Sequence, residues 1–347
     1  MSNQKRTKKR GHVKRMNISN CRKSYQGELE CKEISVAGEI LFDLRPDGTV
    51  RPWMEKKLKT LLLSDSLRRL GDLRRADRVQ DCGTYLEFST DFIRKVLRRA
   101  NFCKCRLCPM CAWRRSLRAA YVLSSVMDEV ENEHPRLVPL FLTLTVKNCD
   151  ATTVDLSQTL DVIFKGWNRF LQVKRTKMAV QGWFRSLEVT YNRETDTFHP
   201  HIHAVVYVDQ KYLKGVNYIK TVEWVELWRS ACKFDYDPVC DIRRIKNNGK
   251  RGHIKELAKY TVKDTDFLTA DESLTDKLVL ALNRSLRCRR LNAFGGIMKE
   301  IAKALRLSEE NETDDLIHIG DGTIREDVNV VIVRYLWRFG VSQYVGM

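Results

Sequence analysis

Three of the chain's seven histidines occupy alternate positions of one run, His199-Pro200-His201-Ile202-His203-Ala204-Val205-Val206-Tyr207-Val208. The run alternates and is rich in β-branched residues, so it predicts a strand. In an extended strand, side chains at i, i+2 and i+4 share a face. The three imidazoles then project together, while Pro200, Ile202, Ala204, Val206 and Val208 face the opposite layer. Neutral imidazole is a common metal ligand, so His201 and His203 form a preformed pair, with His199 a further candidate.

A partner strand is predicted just upstream. Trp183 to Tyr191 alternates in the same way, and the polar stretch Asn192 to Thr197 joins it to the histidine strand as a β-hairpin. Glu188 lies on that strand and is the candidate carboxylate ligand beside the two histidines. Two imidazoles and one carboxylate leave coordination positions open, which suits Mg²⁺ or Mn²⁺ polarising a phosphate oxygen.

Charge points to the substrate class. Sixty-two Lys and Arg against 44 Asp and Glu leave a formal charge of +18, which favours a polyanionic partner, nucleic acid above all. The first 23 residues carry nine of the cations and no acid, with no apolar stretch behind them, so residues 1–30 read as a basic disordered arm rather than a secretory signal. No apolar run approaches the roughly 18 residues of a membrane span. Eleven cysteines, an odd number, in a chain without an export signal indicate reduced thiols and a cytoplasmic location.

Further elements follow from periodicity. A helical stretch runs from about Trp53 to Arg78, another from Trp113 to Glu131, and Leu140 to Val146 is an apolar strand fit for the centre of a sheet. Leu156, Leu160, Ile163, Phe164, Trp167 and Leu171 recur at helical spacing between Asp155 and Val173. Val222 to Ala231 and Lys255 to Thr265 are predicted helices, helical periodicity resumes from Leu274 to Leu305, and Val328 to Tyr335 is a predicted strand. On a helix over 255–265, positions i−4, i and i+3 bring Glu256, Tyr260 and Lys263 to one face. A phenol beside a carboxylate and an ammonium is a set able to attack a phosphodiester.

Taken in chain order, these residues resemble the HUH endonucleases, and within them the single-tyrosine replication initiators (Rep) of rolling-circle plasmids from Gram-positive bacteria. Phe141-Leu142-Thr143-Leu144-Thr145 is similar to the family's first motif, His199-Pro200-His201-Ile202-His203 to its second, and Glu256 with Tyr260 and Lys263 to its third. The resemblance covers roughly Cys82 to Lys263. It implies that His201 and His203 bind the catalytic metal and that Tyr260 nicks one strand at the plasmid origin, keeping the 5′-phosphate and releasing a 3′-hydroxyl that primes a host polymerase. It also implies that Glu256 promotes the terminating hydrolysis and that Lys263 binds phosphate or tunes the tyrosine. Tyr191, Tyr207, Tyr212 and Tyr218 are rival nucleophiles by sequence proximity alone.

Phe102 to Cys111 contains a Cys-x2-Cys knuckle, Cys108 and Cys111, of the kind that binds structural Zn²⁺. Cys103 and Cys82 are the expected remaining ligands, with Cys105 the alternative for the last place. Residues 106–115 also resemble the cysteine region that precedes the first motif in the same initiators. Arg106, Arg114, Arg115 and Arg118 flank the knuckle and are expected to present cations to DNA phosphates.

The expected architecture is α+β, a central antiparallel sheet with flanking helices as in the HUH endonuclease fold, plus a small zinc-binding region. The expected divisions are the arm at 1–30, a basic helical region with the zinc knuckle at 31–131, a catalytic domain at 132–270, and a C-terminal region at 271–347 that is helical and then strand. The expected partners are origin DNA, single-stranded or in a hairpin at the nick site, a host helicase and DNA polymerase, and a second copy in a homodimer. A transposase or conjugative relaxase using the same site is the alternative within enzymes, and a zinc-containing DNA-binding protein without catalysis is the alternative from another class.

Overall fold

The histidine run does form a strand, and it lies inside a sheet. A computed structural model describes residues 32–347 apart from 46, 216–217, 246–249, 259–261, 308–314 and 321–329. The basic arm expected at 1–30 lies outside the described residues.

In chain order the elements are β1 (Lys32–Glu33), α1 (Trp53–Arg69), α2 (Leu73–Gln80), β2 (Tyr85–Thr90), β3 (Lys95–Ala100), α3 (Pro109–Glu133), β4 (Leu137–Thr145), β5 (Cys149–Asp150), α4 (Thr153–Gln172) and α5 (Lys174–Ala179). There follow β6 (Val180–Asn192), β7 (Thr197–Asp209), α6 (Thr221–Cys232), β8 (Cys240–Arg244), α7 (Lys250–Leu257), α8 (Asp264–Phe267), α9 (Glu272–Ser285), β9 (Asn292–Gly296), α10 (Ile297–Ala304), β10 (Val331–Arg338) and β11 (Gln343–Gly346).

The central sheet runs β8-β4-β7-β6-β9, antiparallel throughout, with β5 pairing the start of β7. Successive side chains of β7 point to opposite faces, and both faces are covered. Ile202, Ala204, Val206 and Val208 meet α4 (Leu156, Leu160, Ile163, Trp167, Phe170) and α6 (Trp224, Trp228) in one core. On the histidine face, Val205 and Tyr207 continue the row beyond His203 into a second core formed with Val122, Val126 and Val130 of α3, Ile254 and Leu257 of α7, and Met298 and Ile301 of α10. Each such aliphatic side chain contributes about 1.5–3 kcal/mol by leaving water. The α4 helix starts at Thr152, whose hydroxyl accepts the Asp155 N–H at 3.1 Å, a side-chain cap with an acid in the first turn. Its Gly166 allows close approach to α6, because a Cβ there would fall 2.3 Å from Cys232 Sγ.

A second sheet, β1-β10-β2-β3 with β11 on β10, joins residues more than 200 apart in sequence. Residues 32–347 accordingly make one compact unit, and the expected divisions at 131/132 and 270/271 do not separate independent bodies. The C-terminal region supplies β9 to the central sheet and β10 to the N-terminal one. The expected helix over 53–78 breaks into α1 and α2 at Gly71, whose φ of +81° ends the first helix. No helix of the described residues is long and apolar enough to cross a membrane.

Candidate active site and cysteine cluster

The hairpin register places Glu188 directly opposite His201, and Ser186 opposite His203. On the other side of β7, Thr145 and Thr143 of β4 face the same two histidines. The side chains converge: Glu188 Oε2 lies 3.2 Å from His201 Nε2 and 3.0 Å from His203 Nε2. All three residues are nearly buried, at 5%, 9% and 7% exposure. Burial alone would push the Glu188 carboxyl up, but the hydrogen bonds and charges of His201 and His203 outweigh it and hold it well below the usual carboxylate range.

The free ring nitrogens are also held. His203 Nδ1 is 3.2 Å from Thr143 Oγ1, His201 Nδ1 is 3.2 Å from the His199 carbonyl, and Phe141 stacks on His203 with centroids 5.6 Å apart. These contacts fix ring orientation and turn Nε2 of each histidine toward the carboxylate, the second layer that a metal site needs. Neighbouring ligands of an octahedral ion at 2.0–2.1 Å stand about 3 Å apart, so this trio can hold a divalent cation. His199 stands apart from the trio: its Nδ1 is 2.7 Å from Asn148 Oδ1, and burial followed by the charge of His201 lowers its pKa.

Glu256 arrives from α7 with Oε1 3.7 Å from His203 Nε2, so the structure brings it to the same site. The expected helix over 255–265 is corrected. α7 ends at Leu257, and Lys263 is extended (φ −70°, ψ 137°) as the residue before the separate four-residue α8. Glu256 and Lys263 therefore do not share one helix face, and Lys263 is exposed. Tyr260 lies outside the described residues. Three of its rivals are poorly disposed to ionise. Tyr191 donates to Asp196 at 2.8 Å and burial, then that bond, pushes it up to about 12. Tyr207 is fully buried and its phenol is pushed up by burial, and Tyr212 is buried, raised by the same cause. The carboxyl of Asp266 in α8 is raised chiefly by burial and feels the charges of Lys263 and Glu188.

The cysteine quartet assembles as expected from Cys82, Cys103, Cys108 and Cys111. Their sulfurs stand 3.5 Å (82–111), 3.7 Å (103–111) and 3.6 Å (82–108) apart. A tetrahedron of thiolates about 2.3 Å from one ion has edges of about 3.8 Å. Cys105 is not in the quartet; its backbone N–H donates to Cys103 Sγ at 3.4 Å. Cys108 is the N-cap of α3 and Pro109 opens its first turn, so the chain enters the helix with its φ already set and carries Cys111 on the same turn. Contacts with Cys103 and Cys108, together with burial, push the thiols of Cys82 and Cys111 up. At Cys108 burial acts the same way but is outweighed by hydrogen bonds from the other sulfurs, and its thiol falls. Four buried sulfurs at this spacing could hold a metal ion, whose charge would favour their ionised form.

Among the four arginines, Arg114 is corrected: it is fully buried, with Nε and NH2 each 2.7 Å from the carbonyls of Leu316 and Ile317, and is therefore closed to phosphate. An alternation of helical residues cannot reveal that a loop from position 316 covers one of them. Arg106, Arg115 and Arg118 also donate to backbone carbonyls, but they line a cleft of about 440 Å³ with Lys104, Arg290 and Asn292. Asn292 pairs with Ser186, so the cleft reaches the edge of the histidine-bearing sheet. Thr143 and Asn148 were not among the residues the motifs single out for the metal; Thr143 lies within the first motif, whereas Asn148 has no sequence signal.

Residues 94–345 match the sequence profile of a family described as "Replication protein". The chain belongs to this replication-protein family. It is 36% identical over 333 residues to a "Protein rep" of Bacillus amyloliquefaciens, covering 88% of this chain and 97% of the relative. A "Protein rep" of Streptococcus pneumoniae serotype 2 is 38% identical over 316 residues, covering 88% and 95%. One from Lactiplantibacillus plantarum is 34% identical over 290 residues, covering 82% and 90%. No solved structure matches the chain at a significant level.

Proposed function

We propose that this chain, a plasmid replication initiator by family, is an HUH-type nicking and rejoining enzyme that acts through Tyr260. The observation that carries the reading is the convergence of Glu188, His201 and His203 on one buried point, with Glu256 beside it. A divalent ion held there, Mg²⁺ or Mn²⁺, would withdraw charge from a phosphate oxygen. The Tyr260 phenol gives up its proton to solvent as its oxygen attacks phosphorus, the bond between phosphorus and the 3′-oxygen breaks, and that oxygen takes up a proton to leave as the 3′-hydroxyl. The 5′-phosphate remains on Tyr260 as a phosphodiester. Glu256 is suited to accept a proton from the water that ends the cycle, and Lys263 to neutralise the phosphate.

Thr143 and the His199 carbonyl orient the imidazoles toward this point. The cleft lined by Lys104, Arg106, Arg115 and Arg118 is suited to the backbone of a single strand on its way to this face. The cysteine quartet is suited to a structural Zn²⁺. A released 3′-hydroxyl would prime a host polymerase while a host helicase opens the duplex, with a second copy of the chain a further partner.

The test is incubation of the purified protein with Mn²⁺ and a labelled single-stranded oligonucleotide carrying the origin nick site. A denaturation-resistant adduct is expected from the parent and is expected to vanish in Tyr260→Phe and in the metal-free control. Binding without any adduct, across several metals, would contradict the reading.

A further inference from the structure

The segment that follows Tyr260 is tied to a helix from the other end of the chain. Asp264 opens α8 directly after Lys263, and it is nearly buried. Its carboxylate takes Lys56 Nζ at 2.5 Å on one oxygen and Lys59 Nζ at 2.9 Å on the other, both from α1. Lys56 is itself buried, and its separation from Asp264 in sequence is 208 residues.

The same helix is seated on the cysteine cluster. Lys57 donates to the carbonyls of Gln80 at 2.5 Å and Cys82 at 2.8 Å, and the Thr60 hydroxyl accepts the Met110 N–H at 3.3 Å while lying 3.6 Å from Cys108 Sγ. Positions 56 and 59 grip Asp264, while 57 and 60 grip the cysteine turns, so one helix joins both regions.

A four-residue helix cannot hold its own conformation, because nucleation is unfavourable and α8 is too short to repay it. Its fixed points are Asp264 and the buried Phe267. A buried ion pair is also a poor device for stability alone, since apolar replacements often serve as well, and its best use is to fix one arrangement among several. We infer that Asp264, gripped by Lys56 and Lys59, is a positioning residue that sets Lys263 for the nicking step. The inference rests on the function proposed above.

The test uses full-length protein with Asp264→Asn, Asp264→Glu and, as a milder change at a partly exposed partner, Lys59→Gln. Two readouts are taken: the single-turnover rate of adduct formation at saturating oligonucleotide with Mn²⁺, and hydrogen exchange of the amides of residues 250–268. Asp264→Asn is expected to slow adduct formation about 10- to 100-fold, the range that misplacement of a reacting group produces, with oligonucleotide affinity unchanged and faster exchange confined to 250–268. Asp264→Glu is expected to recover most of the rate, and Lys59→Gln to show a smaller loss. Parent-like rates and exchange in Asp264→Asn would overturn the inference, as would a fall in melting temperature with a parent-like rate below it. If the parent itself makes no adduct, the proposed function has failed and not the clamp, and the exchange pattern alone then decides whether Asp264 fixes the segment.

Discussion

The cysteine quartet and the Glu188–His201–His203 trio are both clusters able to hold a metal, yet they are built in opposite ways. The quartet draws its ligands from two turns and a helix cap, encloses them in the core, and offers four sulfurs at tetrahedral spacing, which leaves no position for a substrate. The trio sits on two neighbouring strands, offers two nitrogens and an oxygen, and leaves the remaining positions to other ligands. Soft and closed suits structure; hard and open suits chemistry on a phosphate. Sequence distance teaches the same lesson. The trio's residues come from one hairpin, whereas the quartet pulls together a loop and a helix that also carry α1 and the C-terminal strands, with Tyr344 donating to the Gly83 carbonyl at 2.7 Å.

The comparison breaks most visibly through the quartet. Cys111→Ser should remove one zinc per chain and leave a protein that does not fold stably at 37 °C, given that structural zinc contributes about 10–16 kcal/mol of apparent binding energy in small zinc domains. Thermal melts with metal analysis check it, and a variant that keeps both zinc and parent stability would erase the distinction. His201→Ala should do the reverse, losing adduct formation by about 10²-fold or more while costing about 1–3 kcal/mol of stability, because one buried partner of Glu188 goes. Zinc content should be unchanged in that variant.

Thr143→Val sharpens the account of the trio. Removing the hydroxyl from His203 Nδ1 should weaken Mn²⁺ binding about 10- to 100-fold in a calorimetric titration, with the fold intact. The smallest effect is on pH. Glu188 and Asp264 both have folded pKa values below their ordinary 4.5 and 3.8, burial being outweighed by the histidines in one case and by Lys56 and Lys59 in the other. Depressed carboxyls stabilise the fold above their ordinary values and lose that contribution as pH falls through the folded ones. Melting temperatures should therefore show no loss from these two groups between pH 7 and 5, and a decline only below about pH 4.

Much of the trio was legible because strand periodicity of two carries the face of every side chain. His201 and His203 follow from the run itself, and the hairpin loop makes Glu188 a neighbour, although only the register shows it directly opposite His201. Half of the quartet, Cys108 and Cys111, was legible from the Cys-x2-Cys spacing. What escaped depends on residues remote in sequence. The burial of Arg114 beneath Leu316 and Ile317, the pairing of β2 with β10, and the grip of α1 on Asp264 have no local pattern. The helix expected over 255–265 failed for a related reason: its apolar spacing is continuous, but tertiary contacts at Asp264 and Phe267 start a new helix and leave Lys263 extended.

The most direct test is to digest the covalent protein–oligonucleotide adduct and identify the modified peptide by mass spectrometry. The account predicts a nucleotide 5′-phosphate on Tyr260, formed only when the trio is intact and a divalent metal is supplied. A phosphate on Tyr191, Tyr218 or any other residue, or an adduct that persists in His201→Ala with His203→Ala, would contradict it.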